Sequence, residues 1–549
     1  MQNIQSKFID HNNNKVGFII FLKKYKKFII PFILILLYIL LYFLVDITSQ
    51  SFVAHDEGLY ARRSRLLEES YNWFSSPFPA PHHKTIGSYW AIALFIRIFG
   101  NSELALRLPS ILASFICLYI TYLIALKITN KNSSLLTVFS LSSMPLWIQY
   151  SRYASPDILF VLCILLIIFF FLKFIDSSHY KYKYLYIFIS GLFISTAFFI
   201  RSYMVFVPLF GLIPFLLYHL SRTKNIFKVT FSLGILIGSI PVFLNLYYSY
   251  RKFGISAITS LFNFTKEKAI GDFDFNDFLL IPLKYLYLTF PIGLILLTLL
   301  SLTRSKKRIN YPLLTYCYPA ISLAILLCMS STYPHYFLFL LPSLSIIFAH
   351  RLESYSFKFS ISKNSIKYSL SFLIILLSCL ILVFMFYKND FLIPFTYRKI
   401  LLIYIISTLL LFSFIVSLKN LFDTRISKYD LTKFFYSISI PQLISISLLY
   451  NFGILGSPNI ELKSFLNDTY VSSIVRVNTI YLYNVDSKIN TLLKYYLPSS
   501  KVVNSNENLD MYDFIITSDR NLIYDREYKI KFELIKEFNN QLFLMNIIK

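Results

Sequence analysis

The sequence predicts a polytopic α-helical membrane protein with a small soluble domain at its C-terminal end. Three observations predict it. The 549-residue chain is 56% hydrophobic and 15% charged, a balance that excludes both disorder and an ordinary soluble enzyme. Apolar runs long enough to cross a bilayer, about 18 residues or more, recur along most of its length. Lys and Arg gather in alternate short loops, as the positive-inside rule requires of cytoplasmic ones. The net charge of +25 therefore reads as topology and not as a nucleic-acid surface. Phe (56) and Tyr (42) are abundant, which AT-rich coding sequence explains without a ligand site. Cys117, Cys163, Cys317, Cys328 and Cys379 lie in apolar runs without paired spacing. They read as small core residues, neither disulfides nor a metal site.

With about 20 apolar residues as the unit, about thirteen spans follow. They fall near 28–45, 104–127, 133–150, 156–176, 184–200, 203–220, 226–249, 278–302, 311–331, 333–350, 366–387, 398–418 and 432–450. The first follows Lys23-Lys24-Tyr25-Lys26-Lys27, exceeds a signal-peptide core and precedes no small-x-small cleavage site, so an uncleaved anchor is expected. Basic clusters at Arg222/Lys224/Lys228, Arg304/Lys306/Lys307/Arg308 and Lys419/Arg425/Lys428 mark cytoplasmic loops. The alternation places the N-terminus in the cytoplasm and everything after residue 450 outside. The expected organisation is a transmembrane domain, 1–450, followed by an extracytoplasmic α/β domain, 451–549.

Two outer loops are long, 46–103 and 250–277. In the first, Ser88 to Arg97 suits an interfacial helix with aromatic anchors. Past Tyr450 a strand is expected at 478–483, a helix at 487–497, a strand at 512–517 and a hairpin in the last twenty residues. No internal repeat is evident, which weighs mildly against a transporter.

The chemistry is expected on the outer face. Ionisable residues at membrane depth are expensive and mark function. His55-Asp56-Glu57-Gly58-Leu59-Tyr60 follows the first span by about ten residues. Acids there also suit a helix N-terminus, where they cap amides and meet the dipole. On a helix, Glu57 would turn about 100° away from Asp56, so the two acids need not share a role. Asp157 follows Ala154-Ser155-Pro156, and a helix-start acid is its plainest reading. Arg152 reads equally as a headgroup contact. Lys84, after His82-His83, suits a phosphate as a point charge or an interfacial lysine with its stem in lipid; Arg201 has the same two readings. Two adjacent histidines do not make a metal site. His335 and Tyr336 open a span on the same face.

The order Asp56-Glu57 with Tyr60-Ala61, Lys84 ahead of Tyr89-Trp90, Arg107-Leu108-Pro109-Ser110, Ala154-x-x-Asp157 and Pro334-x-Tyr336…Leu341-Pro342 resembles the membrane glycosyltransferases of the GT-C fold. Lipid A aminoarabinose transferases and protein O-mannosyltransferases are the relatives it points to, most densely over 45–160. The resemblance implies transfer of a sugar from a polyprenyl-phosphate carrier to an acceptor hydroxyl, with inversion, by a monomer in the bacterial inner membrane. It implies catalytic roles for Asp56, Asp157 and Glu57. It places the lipid phosphate and sugar against Lys84, Arg201, Arg152, Tyr60, His335 and Tyr336. Three positions depart from the aminoarabinose transferases: Leu59 replaces an arginine, Thr85-Ile86 replace two prolines, and His83 replaces a glutamate able to bind metal. His83 is thus the candidate ligand if a divalent metal takes part. The expected acceptor is an envelope glycolipid of the lipid A or lipopolysaccharide kind. The alternatives are a protein or polysaccharide acceptor, or a lipid or sugar transporter without catalysis.

Overall fold

The computed structural model describes residues 51–270 except 76 and 79, positions 289, 292, 293 and 296, and then 309–330, 333–354, 460–503, 513–519, 531–538 and 542–548. The spans expected at 28–45, 366–387, 398–418 and 432–450 lie outside the described residues, as does nearly all of 278–302.

The first long loop carries two helices, α1 (Leu59–Glu69) and α2 (Gly87–Phe99), the second being the expected interfacial one. A π-helical turn, Ala54–Gly58, leads into α1. There follow α3 (Glu103–Ile128), α4 (Lys131–Ser143), α5 (Pro145–Ser151), α6 (Asp157–Asp176), α7 (Tyr180–Arg201) and α8 (Phe206–Leu220). Then come α9 (Asn225–Gly238), α10 (Ile240–Phe253), α11 (Ser256–Ile270), α12 (Tyr318–Leu327) and α13 (Leu341–Ser354). Five described segments are long and apolar enough to cross a membrane: Glu103–Ile128, Asp157–Asp176, Tyr180–Leu220, Asn225–Phe253 and Pro334–Leu352.

Local chemistry sets the boundaries. Ser102 caps α3 by accepting from the Ala105 amide, and Asn130 caps α4 through the Asn132 and Ser133 amides. The span expected at 133–150 is two helices, because Pro145 forces Met144 into an extended conformation (ψ 128°). The pair expected at 184–220 breaks at Ser202, which takes a left-handed φ of 52°. Helices α7 and α9 approach backbone to backbone through glycines: a Cβ on Gly191 would sit 2.3 Å from the Phe231 carbonyl oxygen, and one on Gly234 2.2 Å from that of Phe188. Small residues permit that approach in a bilayer, where helix packing is driven by contact and not by water. The core between the helices is filled by Trp147, Tyr122, Phe171 and Phe215, all fully buried.

At one end of α3 and α6, Lys127 pairs with Asp176, and the Tyr311 hydroxyl donates to the same carboxylate at 2.7 Å. At the other end lies the site described below.

The C-terminal region forms an α/β unit with a five-stranded sheet. Its elements are α14 (Ile460–Asn467), α15 (Thr469–Val477), β1 (Ile480–Tyr483), α16 (Ser487–Tyr496), β2 (Lys501–Val503), β3 (Phe514–Thr517), β4 (Lys531–Phe538) and β5 (Leu542–Ile548). Strand order is β2-β1-β3-β5-β4, with β1 parallel to β2 and β3, and a β4–β5 hairpin on the far edge. The expected strands, helix and hairpin are there; α14, α15 and β2 are additional to them.

This unit is docked on the first long loop. The Tyr495 hydroxyl donates to Asn101 (3.0 Å), the Tyr496 hydroxyl donates to Glu103 (3.1 Å), and Lys463 pairs with Glu103 (2.9 Å). Leu466, Leu492, Leu493 and Ile516 share one apolar cluster with Phe52, Leu67 and Ile92.

Candidate active site

The turn Ala54–Gly58 sorts its two acids. Glu57 is fully buried. Its Oε1 accepts from Arg107 Nε (2.8 Å) and the Ala154 amide (3.0 Å), and its Oε2 accepts from Arg107 Nη2 (2.9 Å) and the Val53 amide (3.0 Å). Four charge-assisted bonds in a buried setting leave this carboxylate engaged on both oxygens. Asp56, one residue earlier, is half-buried and faces a cavity. Burial, and then the charge of Glu57, push its carboxyl above the ordinary range; His55, Arg201 and Lys84 pull it back only in part.

That cavity has a volume of about 350 Å³. Asp56, Tyr60, Lys84, Asp157, Arg201, His335 and Tyr336, all expected from sequence, line it together. Part of its lining is apolar: Ile200, Met204, Phe206, Val207, Phe210, Ile325 and Met329. Phe206 and Phe210 are 43% and 52% exposed, so the apolar side opens along the face of α8. A polar chamber joined to an apolar groove is the shape that a charged headgroup on a lipid chain requires.

Three distant segments build the polar wall. The Lys84–Gly87 stretch seats against the break after α7: the Thr85 amide donates to Ser202 Oγ (2.9 Å) and Thr85 Oγ1 donates to the Phe198 carbonyl (3.1 Å). This contact brings Lys84 beside Arg201 and holds Ser202 in its uncommon backbone conformation. Lys84 Nζ donates to the Tyr60 hydroxyl at 3.0 Å, and burial lowers its pKa from the usual lysine value. Arg201 pairs with Asp157 and lies over the Tyr336 ring, 5.6 Å from its centroid. On the third side, His335 Nδ1 bonds the Tyr150 hydroxyl (3.2 Å).

Glu57 and Arg152 do not line the cavity. Glu57, expected as a second catalytic acid, is spent on Arg107 and two backbone amides. Arg152, expected near the phosphate, is buried beneath the wall at 6% exposure. Two residues of the site, one lining the cavity and one behind it, were outside the sequence expectations. Lys268, on α11, adds a third cation, with Nζ 5.8 Å from the Phe264 ring and 5.7 Å from that of Tyr333. It falls in the long loop 250–277, where no spacing singles this lysine out. Arg107, the partner of Glu57, stood in the resemblance without a role.

His83 stacks on His82 and Phe264 (centroids 4.8 and 4.4 Å). Burial and then Lys84 lower its pKa to about 4, so it is neutral at physiological pH. Among the described residues no three His, Cys, Asp or Glu side chains converge as a metal site would need. The side chains beside His83 do not make a cation site.

Comparison with known proteins agrees with this geometry. Residues 83–248 match the family model described as dolichyl-phosphate-mannose-protein mannosyltransferase. An uncharacterized protein of Aquifex aeolicus is 32% identical over 146 residues, 26% of this chain and 28% of its own length. An undecaprenyl phosphate-alpha-4-amino-4-deoxy-L-arabinose arabinosyl transferase of Pseudomonas paraeruginosa is 28% identical over 120 residues, 21% of this chain and 22% of its own length. The matches thus span less than a third of these curated relatives. The structure of ArnT from Cupriavidus metallidurans bound to undecaprenyl phosphate superposes with a TM-score of 0.70 at 14% identity, covering 93% of this chain and 97% of that one. The Archaeoglobus fulgidus oligosaccharyltransferase gives 0.50 at 11% identity, over 90% and 69% of the two chains. Over its length the chain shares the GT-C membrane fold of ArnT, and within residues 83–248 it is similar to the dolichyl-phosphate-mannose-protein mannosyltransferase family.

Proposed function

We propose that this protein is an inverting glycosyltransferase. It moves a sugar from a polyprenyl-phosphate carrier to a hydroxyl of an envelope glycolipid, at the outer face of the bacterial inner membrane. The observation that carries the reading is the two-part cavity, with Asp56, Lys84 and Arg201 at one end and the groove of Met204, Val207 and Phe210 at the other. The solved ArnT holds undecaprenyl phosphate, and a donor of that class suits both halves here.

In the proposed reaction the acceptor oxygen forms a bond to the anomeric carbon as the bond from that carbon to the phosphate oxygen breaks. The electron pair leaves with the phosphate. Negative charge grows on the leaving phosphate, so preorganised cations lower the barrier. Lys84 and Arg201 supply them, and Lys268 joins from α11. Asp157 holds Arg201 in place through their ion pair. Asp56 takes the acceptor's proton, and its raised pKa makes it a stronger base than an ordinary carboxylate. Tyr60 orients Lys84, while His335 and Tyr336 line the sugar side. Glu57 serves here as scaffold, through Arg107. The protein works as a monomer, with its C-terminal unit outside the membrane.

The test is transfer by purified protein in detergent, with synthetic polyprenyl-phosphate sugars as donors and an envelope-lipid extract as acceptor. Release of free polyprenyl phosphate in step with labelling of the extract is the expected result. Donor left intact by folded protein, under every acceptor offered, would sink the reading. Labelling only when a protein or polysaccharide acceptor is added would move the acceptor class and leave the donor chemistry standing.

A further inference from the structure

Helix α16 of the C-terminal α/β unit touches the turn that presents Asp56. Gly58 meets Leu492 so closely that a Cβ there would lie 2.9 Å from Leu492 Cδ2. The Phe52 amide donates to the Tyr496 hydroxyl at 3.3 Å, and that hydroxyl in turn donates to Glu103. The Phe52 ring, fully buried, is edge-on to Tyr495 (centroids 5.0 Å) and stacked with Tyr496 (6.2 Å). On its other side Arg107 lies 5.0 Å from the ring centroid, and Arg107 is the residue that clamps Glu57. Both ends of the Ala54–Gly58 turn are thus gripped from outside the membrane domain: Phe52 at its start by two tyrosines, Gly58 at its close by a leucine. The turn itself is π-helical, a rare geometry that is frequent at functional sites.

We infer that α16 is a positioning element for the site, holding Asp56 at the acceptor through Tyr496, Tyr495 and Leu492. The inference rests on the glycosyltransferase reading above. A side chain that must meet a reacting hydroxyl loses much of its effect when displaced by about 1 Å. The lipid-phosphate cations Lys84, Arg201 and Lys268 sit on segments that α16 does not touch in these contacts. Loosening α16 therefore separates proton removal from donor binding.

The experiment uses the full-length protein with Tyr496→Phe, Leu492→Ala and the conservative Glu103→Gln, which keeps side-chain size if either of the others folds poorly. Hydrogen exchange of 52–58 is expected to quicken while that of 84–87 stays unchanged. For transfer, kcat is expected to fall at least fivefold, with KM for the lipid-linked donor and binding of polyprenyl phosphate within twofold of wild type. Unaltered exchange at 52–58, an unaltered kcat, or a kcat loss matched by lost donor binding would each overturn the inference. Wild type without transfer would end the glycosyltransferase reading, while the exchange rates still judge whether α16 governs the turn.

Discussion

Two ion pairs tie α3 to its surroundings at opposite ends, and they are built differently. Arg107–Glu57, at the cavity end, is closed to solvent (6% and 0% exposed) and completed by two backbone amides. Lys127–Asp176, at the far end, is 20% and 39% exposed, with one tyrosine hydroxyl in support. A buried, fully bonded pair is costly to disturb and fixes geometry; an exposed pair contributes little. Rigid structure thus lies beside the cavity that Asp56 faces, and the other end is loosely tied.

Arg107→Met separates the two ends by the largest amount. It leaves Glu57 buried without its cation and should cost about 3–5 kcal/mol of stability, read from thermal unfolding in detergent. A cost under about 1 kcal/mol would mean the pair is no scaffold. Lys84→Met comes next. Loss of a charge-assisted contact to phosphate should weaken polyprenyl-phosphate binding by about 1.5–3 kcal/mol, while unfolding is little changed. Equal affinity in the variant would remove Lys84 from the phosphate site.

A pH titration gives a smaller but sharper signal. Asp56 is raised in the folded protein, so its carboxyl costs stability that builds as the pH rises from the ordinary value and is complete above the raised one. Replacing it with Asn should therefore leave the protein at least as stable at pH 7, the advantage vanishing below the ordinary carboxylate pKa of 3.8. Activity has the opposite sign: the base must be ionised, so the acidic limb of the kcat profile should lie above 3.8. A limb at or below that value would assign proton removal elsewhere. Asp176→Asn closes the series, with an expected change below about 1 kcal/mol and transfer unaffected.

The sequence made the spans, the order of polar landmarks and the sharing of one vestibule legible, because hydropathy and charge alternation are written residue by residue. Asp56, Lys84, Asp157, Arg201, His335 and Tyr336 do meet in one cavity. The division of labour between Asp56 and Glu57 was legible only as a turn of about 100° between neighbours. What decides it is Arg107, fifty residues on, arriving from another helix. Lys268 was hidden for a similar reason, since a lysine in a charged loop looks the same whether it faces water or a cavity. In the C-terminal unit, β1, α16, β3 and the closing hairpin carried clear patterns. Three-residue β2 is too short to carry any.

The central claim is that adjacent acids divide chemistry from scaffold, and one paired measurement tests it. Asp56→Asn and Glu57→Gln are compared for transfer from a polyprenyl-phosphate sugar and for thermal unfolding. The account predicts that Asp56→Asn loses about 10²–10⁴ in kcat with its melting temperature kept, whereas Glu57→Gln loses several degrees or fails to fold. A stable, inactive Glu57→Gln beside an active Asp56→Asn would contradict it.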